Sequence, residues 1–420
     1  MSGLPDGWAL TNLRQICEFK YGKALPSPLR DGVGFPVFGS NGVVGAHSQP
    51  LCNGPAIVIG RKGSVGVVHY SAAPCSPIDT TYFIDSFGSC LPRFLMHRLR
   101  AMPLADLNRA TAIPGLNRED AYGLDLELPP LPEQQRIADK LDSILARVDA
   151  CRDRLDRVGP LLQRFRQSVL AVAMNGSLSA EWREANHVGQ WTTATIGDVA
   201  EVGTGSTPLR SKAGYFDVTG TPWITSSATS LDLVTVAAEF VTDQAIRDHR
   251  LRVYPPGTLL VAMYGEGKTR GQVTELGMAA TINQACAAVQ VDEAKALKPF
   301  VKLALRANYL QMRDMAEGGA QPNLNLSKVR AVPLSLPSLE EQAEIVRRVG
   351  RLMQVADSLE QRLTSGQAVV GRLPAATLAK AFRGELVPQD PNDEPAAELL
   401  ARLAASTPPK KTARRGRSTA

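Results

Sequence analysis

The sequence predicts an α+β multidomain protein. Two β-rich α/β domains are separated by two long helices that pack as an antiparallel coiled coil, and the whole is a pseudo-two-fold internal repeat. Three observations predict this: a gapless repeat at an offset of 208 residues, an apolar heptad seam in each repeat copy, and β-patterned, glycine-bounded segments before each copy.

At that offset Leu116-Asn117 falls on Leu324-Asn325, Pro129 on Pro337, Leu131 on Leu339, Glu133-Gln134 on Glu341-Gln342 and Ile137 on Ile345. Asp149 then meets Asp357, Arg154-Leu155 meets Arg362-Leu363, Leu170-Ala171 meets Leu378-Ala379, and Gly176 meets Gly384. A weaker match precedes each copy: Trp8, Leu13, Ile16 and Gly22 share their spacing with Trp191, Ile196, Val199 and Gly205. The order is variable–constant–variable–constant. Boundaries follow: a first variable domain at 1–115, a helical spacer at 116–183, a second variable domain at 184–323, a second spacer at 324–390, and a basic, disordered tail at 391–420.

Each constant copy opens on an alternating strand pattern, LDLELPP or VPLSLPS. Pro132-Glu133 then suits a first helical turn, the proline by its fixed φ and the glutamate by its charge at the helix N-terminus. In the first copy Ile137, Leu141, Ile144, Val148, Cys151, Leu155, Val158, Leu162, Phe165, Val169 and Val172 step by 4 and 3 without a break. The second copy runs Ile345, Val349, Leu352, Ala356, Leu359, Leu363, Gly366, Val370, Leu373, Thr377 and Lys380, and loses apolar character at its end. Gly159-Pro160 and Pro374 predict kinks. Core helices of a bundle are the alternative; two helices packed on each other are preferred because each seam needs a partner and the chain supplies two.

A chain of 420 residues holds two to four units. Its 44% hydrophobic and 21% charged content suits a soluble globular protein, and no apolar run reaches the ~18–20 residues of a membrane span. The start, MSGLPDGW, does not read as a signal peptide. Cys17, Cys52, Cys75, Cys90, Cys151 and Cys286 form no CxxC and lie far apart in sequence, which predicts reduced thiols in a cytoplasmic protein and neither zinc nor disulfides. The net charge is +6, but residues 407–420 carry five basic side chains and no acid. That arm either touches phosphate or is merely solvated. Residues 1–110 hold ten Lys/Arg against six Asp/Glu, and residues 184–323 hold twelve against fourteen, so neither domain is strongly basic.

The variable segments read as strands joined by glycine-rich loops. In Gly60-Arg61-Lys62-Gly63-Ser64 the glycines permit a tight loop, and the basic side chains can reach a phosphate or a guanine edge. The second domain offers Ser, Thr, Asn and Gln on loops, chemistry that reads base edges or simply solvates turns. Ala262–Thr269, AMYGEGKT, loosely matches a phosphate-binding loop. However, a true one leads directly into a helix, whereas Arg270-Gly271-Gln272-Val273-Thr274 predicts a turn into a strand. Lys268 and Arg270 are better read as facing DNA. There is no HExxH, GxSxG or methyltransferase tetrapeptide, and Glu293-Ala294-Lys295 is only half of a nuclease motif. His47, His69, His97, His187 and His249 have no metal-ligand spacing and are read as structural or surface residues.

Together these features resemble the specificity (S) subunit of type I restriction–modification systems, over roughly residues 5–390. The resemblance rests on LPPLPEQQRIADKLDSIL with its second copy LPSLEEQAEIV, on the duplicated order, and on FGSNGVVG, IGRKGSVG and TINQA. It implies a non-catalytic subunit whose two target recognition domains each read half of a split double-stranded DNA site. The helices would set the spacer and dock two DNA methyltransferase subunits, with restriction/translocase subunits joining them. S-adenosylmethionine, ATP and Mg2+ would belong to those partners, and this chain would bind no cofactor, no metal and no membrane. The expected DNA-contacting loop residues are Lys20, Tyr21, Lys23, Ser40, Asn41, Arg61, Lys62, Ser64, Thr80 and Thr81 in the first domain. In the second they are Ser206, Thr207, Arg210, Thr225, Ser226, Ser227, Tyr264, Lys268, Thr269, Arg270, Asn283 and Gln284. The expected seam and docking positions are Ile137, Leu141, Ile144, Val148, Leu155, Leu162, Phe165, Ile345, Val349, Leu352, Leu359 and Leu363. The competing readings are a P-loop enzyme on Gly267-Lys268-Thr269 and a coiled-coil scaffold without DNA contact.

Overall fold

The computed structural model describes residues 3–88, 90–107, 115–265, 269–316 and 323–406. It divides into two units: residues 1–155 with 365–420, and residues 156–364.

In unit 1, β1 (Ala9–Asn12) leads into α1 (Leu13–Ile16), which Asn12 caps by accepting from Gln15 N at 3.2 Å. Strands β2 (Lys20–Tyr21), β3 (Phe35–Gly39), β4 (Gly42–His47), β5 (Ala56–Gly60), β6 (Val68–Ser71), β7 (Ser76–Pro77) and β8 (Thr81–Ile84) follow. They form one sheet in the order β2-β8-β5-β6 and another in the order β4-β3-β7. Helices α2 (Pro92–Ala101) and α3 (Arg118–Tyr122) come next, and then β9 (Asp125–Leu128), which pairs antiparallel with β1. The run Ala56–Ile59 is fully buried, as expected for a strand covered on both faces.

The long helix α4 (Leu131–Met174) has 44 residues, about 65 Å at 1.5 Å per residue. After it come α5 (Ala180–Ala185), β10 (Thr192–Thr195), α6 (Ile196–Val199), β11 (Ala200–Thr204), β12 (Phe216–Ile224), β13 (Leu233–Val234), β14 (Glu239–Val241) and α7 (Asp243–His249). Then come β15 (Leu259–Ala262), β16 (Val273–Leu276), β17 (Thr281–Ile282), β18 (Cys286–Val291), α8 (Lys298–Ala307), α9 (Tyr309–Ala316), α10 (Leu326–Arg330), β19 (Pro333–Leu336), α11 (Leu339–Phe382) and α12 (Ala396–Ser406). The sheets of unit 2 run β11-β18-β15-β16-β13 and β14-β12-β17, with a β10–β19 ribbon. Apart from the added β13, this repeats the order of unit 1.

The repeated residues are the joints of this scaffold. Gln134 accepts from Leu91 N at 2.8 Å and donates to Pro129 O at 3.0 Å. Gln342 accepts from Leu297 N at 2.7 Å and donates to Pro337 O at 2.9 Å. Each glutamine therefore ties its long helix to the residue before α2 or α8, satisfying backbone groups that burial would otherwise strand. Glu133 is buried and accepts from Trp8 Nε1 at 3.0 Å. Glu341 instead accepts from Ser179 Oγ at 2.7 Å and Arg183 at 2.8 Å. Asn117 and Asn325 cap α3 and α10, each accepting a backbone N–H at 2.8 Å.

Both helices continue through their prolines without a break. In unit 1, Leu141 shares a core with Ala381 and Phe382. In unit 2, Val169 and Ala173 share a core with Ile345 and Val349, and Arg166 bridges Asp357 at 2.7 Å and Glu360 at 2.8 Å. Ile137, Leu141, Val148, Leu162, Ile345 and Val349 are buried, and Ile144, Leu155, Leu352 and Leu363 half-buried. Phe165, Val172 and Leu359 remain 37%, 37% and 44% exposed; Ala173, one residue past the seam position Val172, is buried, and the seam residue Ala356 is buried as counted. The buried stripe thus departs from the strict 4–3 pattern, as a helix of 3.6 residues per turn drifts against a heptad repeat.

One expectation is corrected. The segment expected to begin a disordered tail at 391 instead carries α12; Ala396 is fully buried, its N–H bonded to Gly7 O at 2.9 Å, and Asp393 pairs with Arg136 at 2.7 Å. The basic residues from Lys410 onward lie outside the described residues. Cys52 and Cys75, distant in sequence, meet across an isolated antiparallel bridge with their sulfurs 3.4 Å apart, both as free thiols. Among the described residues no helix is long and apolar enough to cross a membrane, and no group of three or more His, Cys, Asp or Glu is placed to hold a metal.

Candidate nucleic-acid interface

In unit 1 the expected loop residues converge at one sheet edge. Arg61 N and Lys62 N both donate to Thr80 O, at 2.9 and 3.1 Å, and Lys23 N donates to Pro77 O at 3.1 Å. Ser40 lies close by: a Cβ on Gly63 would stand 3.3 Å from its hydroxyl. The close approach depends on Gly22, where a Cβ would fall 2.1 Å from Ile78 O. Gly205, its repeat counterpart, has the same relation to Ile282 O, at 1.6 Å. Only glycine lets these two backbones touch.

Lys20, Tyr21, Lys23, Ser40, Asn41, Arg61, Lys62, Ser64 and Thr80 are all exposed or half-buried. Thr81 differs. It is fully buried and its hydroxyl donates to Ile78 O at 2.7 Å, so it supports the loop and does not face a ligand. Lys20 pairs with Asp85 at 2.6 Å, and that hydrogen bond holds its ammonium above the usual lysine range. Arg61 is placed differently: its guanidinium donates to Asp79 O at 2.8 Å and lies over the rings of Tyr21 and Tyr82 at 5.1 and 5.8 Å.

Unit 2 gathers its loop residues in the corresponding place. Thr207 donates to Gln284, Trp223 Nε1 donates to Ser206 O at 3.2 Å, and Asn283 N donates to Ile224 O at 3.0 Å. Thr225 and Ser227 exchange a hydroxyl bond of 2.8 Å, beside half-buried Ser226. Met263 N donates to Ala285 O at 2.7 Å, which brings Tyr264 next to this group. Arg210 is paired with Glu239 at 2.9 Å, a contact that raises its pKa, and lies 5.6 Å over both Phe216 and Trp223.

Lys268 lies outside the described residues. The loop that carries it, however, joins β15 to the antiparallel strand β16, so no helix N-terminus follows to hold a phosphate. Thr269 and Arg270 are half-buried there, and Arg270 reaches back to Gly265 O at 3.5 Å.

Sequence reasoning missed the aromatic partners Tyr82, Tyr122 and Trp223, and it missed Arg118, whose guanidinium lies 5.4 Å over Tyr21. The signal for Arg118 was its place beside Asn117, at a repeated position where the second copy has Leu326.

A family model, the type I restriction modification DNA specificity domain, matches residues 5–158 and 189–365. The chain belongs to this family. It is 25% identical over 416 residues to the EcoDI type I restriction enzyme specificity subunit of Escherichia coli, covering 92% of this chain and 90% of that one. It is 24% identical over 427 residues to the StySPI specificity subunit of Salmonella potsdam, with the same coverage of 92% and 90%. Its fold matches the HsdS subunit from Thermoanaerobacter tengcongensis with a TM-score of 0.57 at 18% identity, over 91% of this chain and 98% of that one. A chain from a structural study of assembly and conformational transition in a type I R-M system aligns with a TM-score of 0.63 at 18% identity, over 92% and 100%.

Proposed function

We propose that this chain is the DNA-sequence specificity subunit of a type I restriction–modification complex, each target recognition domain reading one half of a bipartite site. The observation that carries this is the duplicated module. The same strand order, glutamine joint and glycine-dependent loop edge occur once in each unit, and the family model matches both copies. Two readers on one chain suit two half-sites about one helical turn apart, roughly 34–36 Å. Neither half-site needs to be long, because each good bidentate base contact discriminates by ~1–3 kcal/mol.

In this reading the long helices form an antiparallel coiled coil that relates the two repeats by a pseudo-two-fold and sets the spacer. Support comes from an antiparallel order of pairings: Leu141 in one core with Ala381, a Gly366 Cβ position 3.9 Å from Leu155, Arg166 bridged to Asp357, and Ala173 in one core with Ile345. The helices also dock two DNA methyltransferase subunits. Exposed apolar side chains favour this, among them Leu161, Phe165, Val355 and Leu359, with Val369 and Leu373 further along α11. The chemistry belongs to the partners: adenine methylation with S-adenosylmethionine, and ATP- and Mg2+-dependent restriction by translocase subunits, all in the cytoplasm. The modest charge of each domain fits a subunit whose partners supply much of the phosphate contact.

The test is methylome sequencing of cells carrying this chain with its methyltransferase subunit. A split motif with a fixed gap is the expected result. Methylation of a continuous motif, or none above a control lacking this chain, would reject the reading.

A further inference from the structure

Among the described residues, unit 1 holds a cluster without a counterpart in unit 2. We propose that Arg61 and Arg118 form a two-guanidinium clamp, organised by Tyr21, for the acceptor oxygens of one nucleotide in the first half-site. This rests on the DNA-reading function above and assigns a contact within it.

Tyr21 is 51% exposed, and two arginines share its ring: Arg61 at 5.1 Å and Arg118 at 5.4 Å from the centroid. The ring is itself braced by Tyr82, 5.0 Å away. Two cations over one ring repel each other, and the ring's π face offsets only part of that. Backbone carbonyls supply a further part, Asp79 O accepting from Arg61 at 2.8 Å and Phe19 O from Arg118 at 3.4 Å, but these carry no full charge. Among the described residues Arg61 has no carboxylate partner. Among the described residues the carboxylate paired with Arg118 is Glu119, 3.8 Å from its Nε, and Glu119 is already bonded to Arg14. The Nε atoms of both Arg61 and Arg118 are buried without a hydrogen-bond partner. Two guanidiniums with, among the described residues, no carboxylate closer than the shared Glu119, beside exposed Lys62, make a receptor for phosphate or guanine oxygens.

The internal repeat separates this role from a scaffold role. Leu116 N donates to Arg61 O at 2.9 Å, and Leu324 N donates to Met263 O at 3.1 Å, so Arg61 corresponds to Met263. Arg118 corresponds to Leu326. The backbone joint and the asparagine caps recur, whereas the two arginines do not. The shared scaffold forms in unit 2 without them.

The test uses the full chain assembled with its methyltransferase subunits, with binding to a duplex carrying the methylome-defined site measured across salt concentrations. Arg118→Ala is expected to weaken binding roughly tenfold or more. Arg118→Lys, which keeps the charge but not the planar fork, is expected to recover only part of it. Arg252→Ala, whose guanidinium also lies over an aromatic ring but is neutralised by Glu201, away from the clamp, is expected to bind like the unaltered chain. A phosphate contact appears as uniform weakening with a salt slope smaller by about one; a guanine contact appears as relaxed choice at one position of the first half-site. Unaltered binding and motif in both Arg118 variants, or an equal loss in Arg252→Ala, would overturn the clamp while leaving the split motif of the unaltered chain in place. Absence of that motif in the unaltered chain would instead remove the underlying DNA reading.

Discussion

Trp8 Nε1 donates a 3.0 Å hydrogen bond to Glu133 Oε2, joining the first strand of unit 1 to the first turn of the long helix. Burial pushes the Glu133 carboxyl up, and Trp8 and Arg136 offset that only in part, so it stays above the usual carboxylate range. Replacing Trp8 by Phe leaves a buried carboxylate without its donor, a change of about 1–3 kcal/mol. The expected outcome is a lower thermal midpoint for Trp8→Phe, largely recovered in Trp8→Phe/Glu133→Leu; no recovery in the double variant would show that the hydrogen bond is not the cause.

The same position in unit 2 behaves oppositely. Burial pushes Glu341 up, but Arg183, Ser179 and Trp191 outweigh it and hold the carboxyl below its usual range. Glu344, bonded by Arg347 and Arg348, is held at about 2. A depressed carboxyl contributes stability that is complete above its unfolded pKa of roughly 4.3 and is lost as pH falls through the folded value. A raised one, such as Glu133, costs stability at neutral pH, and that cost is relieved by acid. Acidification from pH 5 towards pH 2 is therefore expected to weaken the Glu341 and Glu344 contacts of unit 2 while relieving the cost at Glu133 in unit 1. Segment-resolved hydrogen exchange, corrected for intrinsic rates, would show both effects, and Glu344→Gln should flatten the acid limb of unit 2.

The glutamine joints make a paired prediction. Gln134→Ala strands the Leu91 N–H and Gln342→Ala strands the Leu297 N–H, each at about 1–3 kcal/mol. Protection of each amide should fall in its own variant alone. Loss in both units from one substitution would contradict independent joints.

Gly22 and Gly205 set the loop edges. An alanine Cβ at either would meet a carbonyl oxygen at 2.1 or 1.6 Å, so a backbone must move. Gly22→Ala is expected to degrade reading of the first half-site and Gly205→Ala the second, seen as methylation fidelity at each half of the motif. Degradation of the same half by both would break the correspondence.

What the sequence showed and hid follows from where each signal lies. The offset of 208 exposed the module because scaffold residues recur, among them Asn117 with Asn325 and Gln134 with Gln342. Their roles were not legible: Glu133 read as a helix-dipole residue, and only tertiary burial makes it a partner of Trp8. Heptad counting located both helices but left Phe165 and Leu359 exposed, and beside the seam position Val172 it is Ala173 that is buried. Helix α12 was hidden by the basic residues that follow it, although Ala396–Ser406 is rich in strong helix formers. The loop edges were found from glycine and polar composition. Arg118 was not, because its neighbours are constant and it is not.

The most direct test of the central claim exchanges residues 1–110 for the corresponding domain of another specificity subunit and sequences the methylome. The account predicts a hybrid motif with one half replaced and the other half and the spacer retained. Replacement of both halves, or of neither, would contradict it.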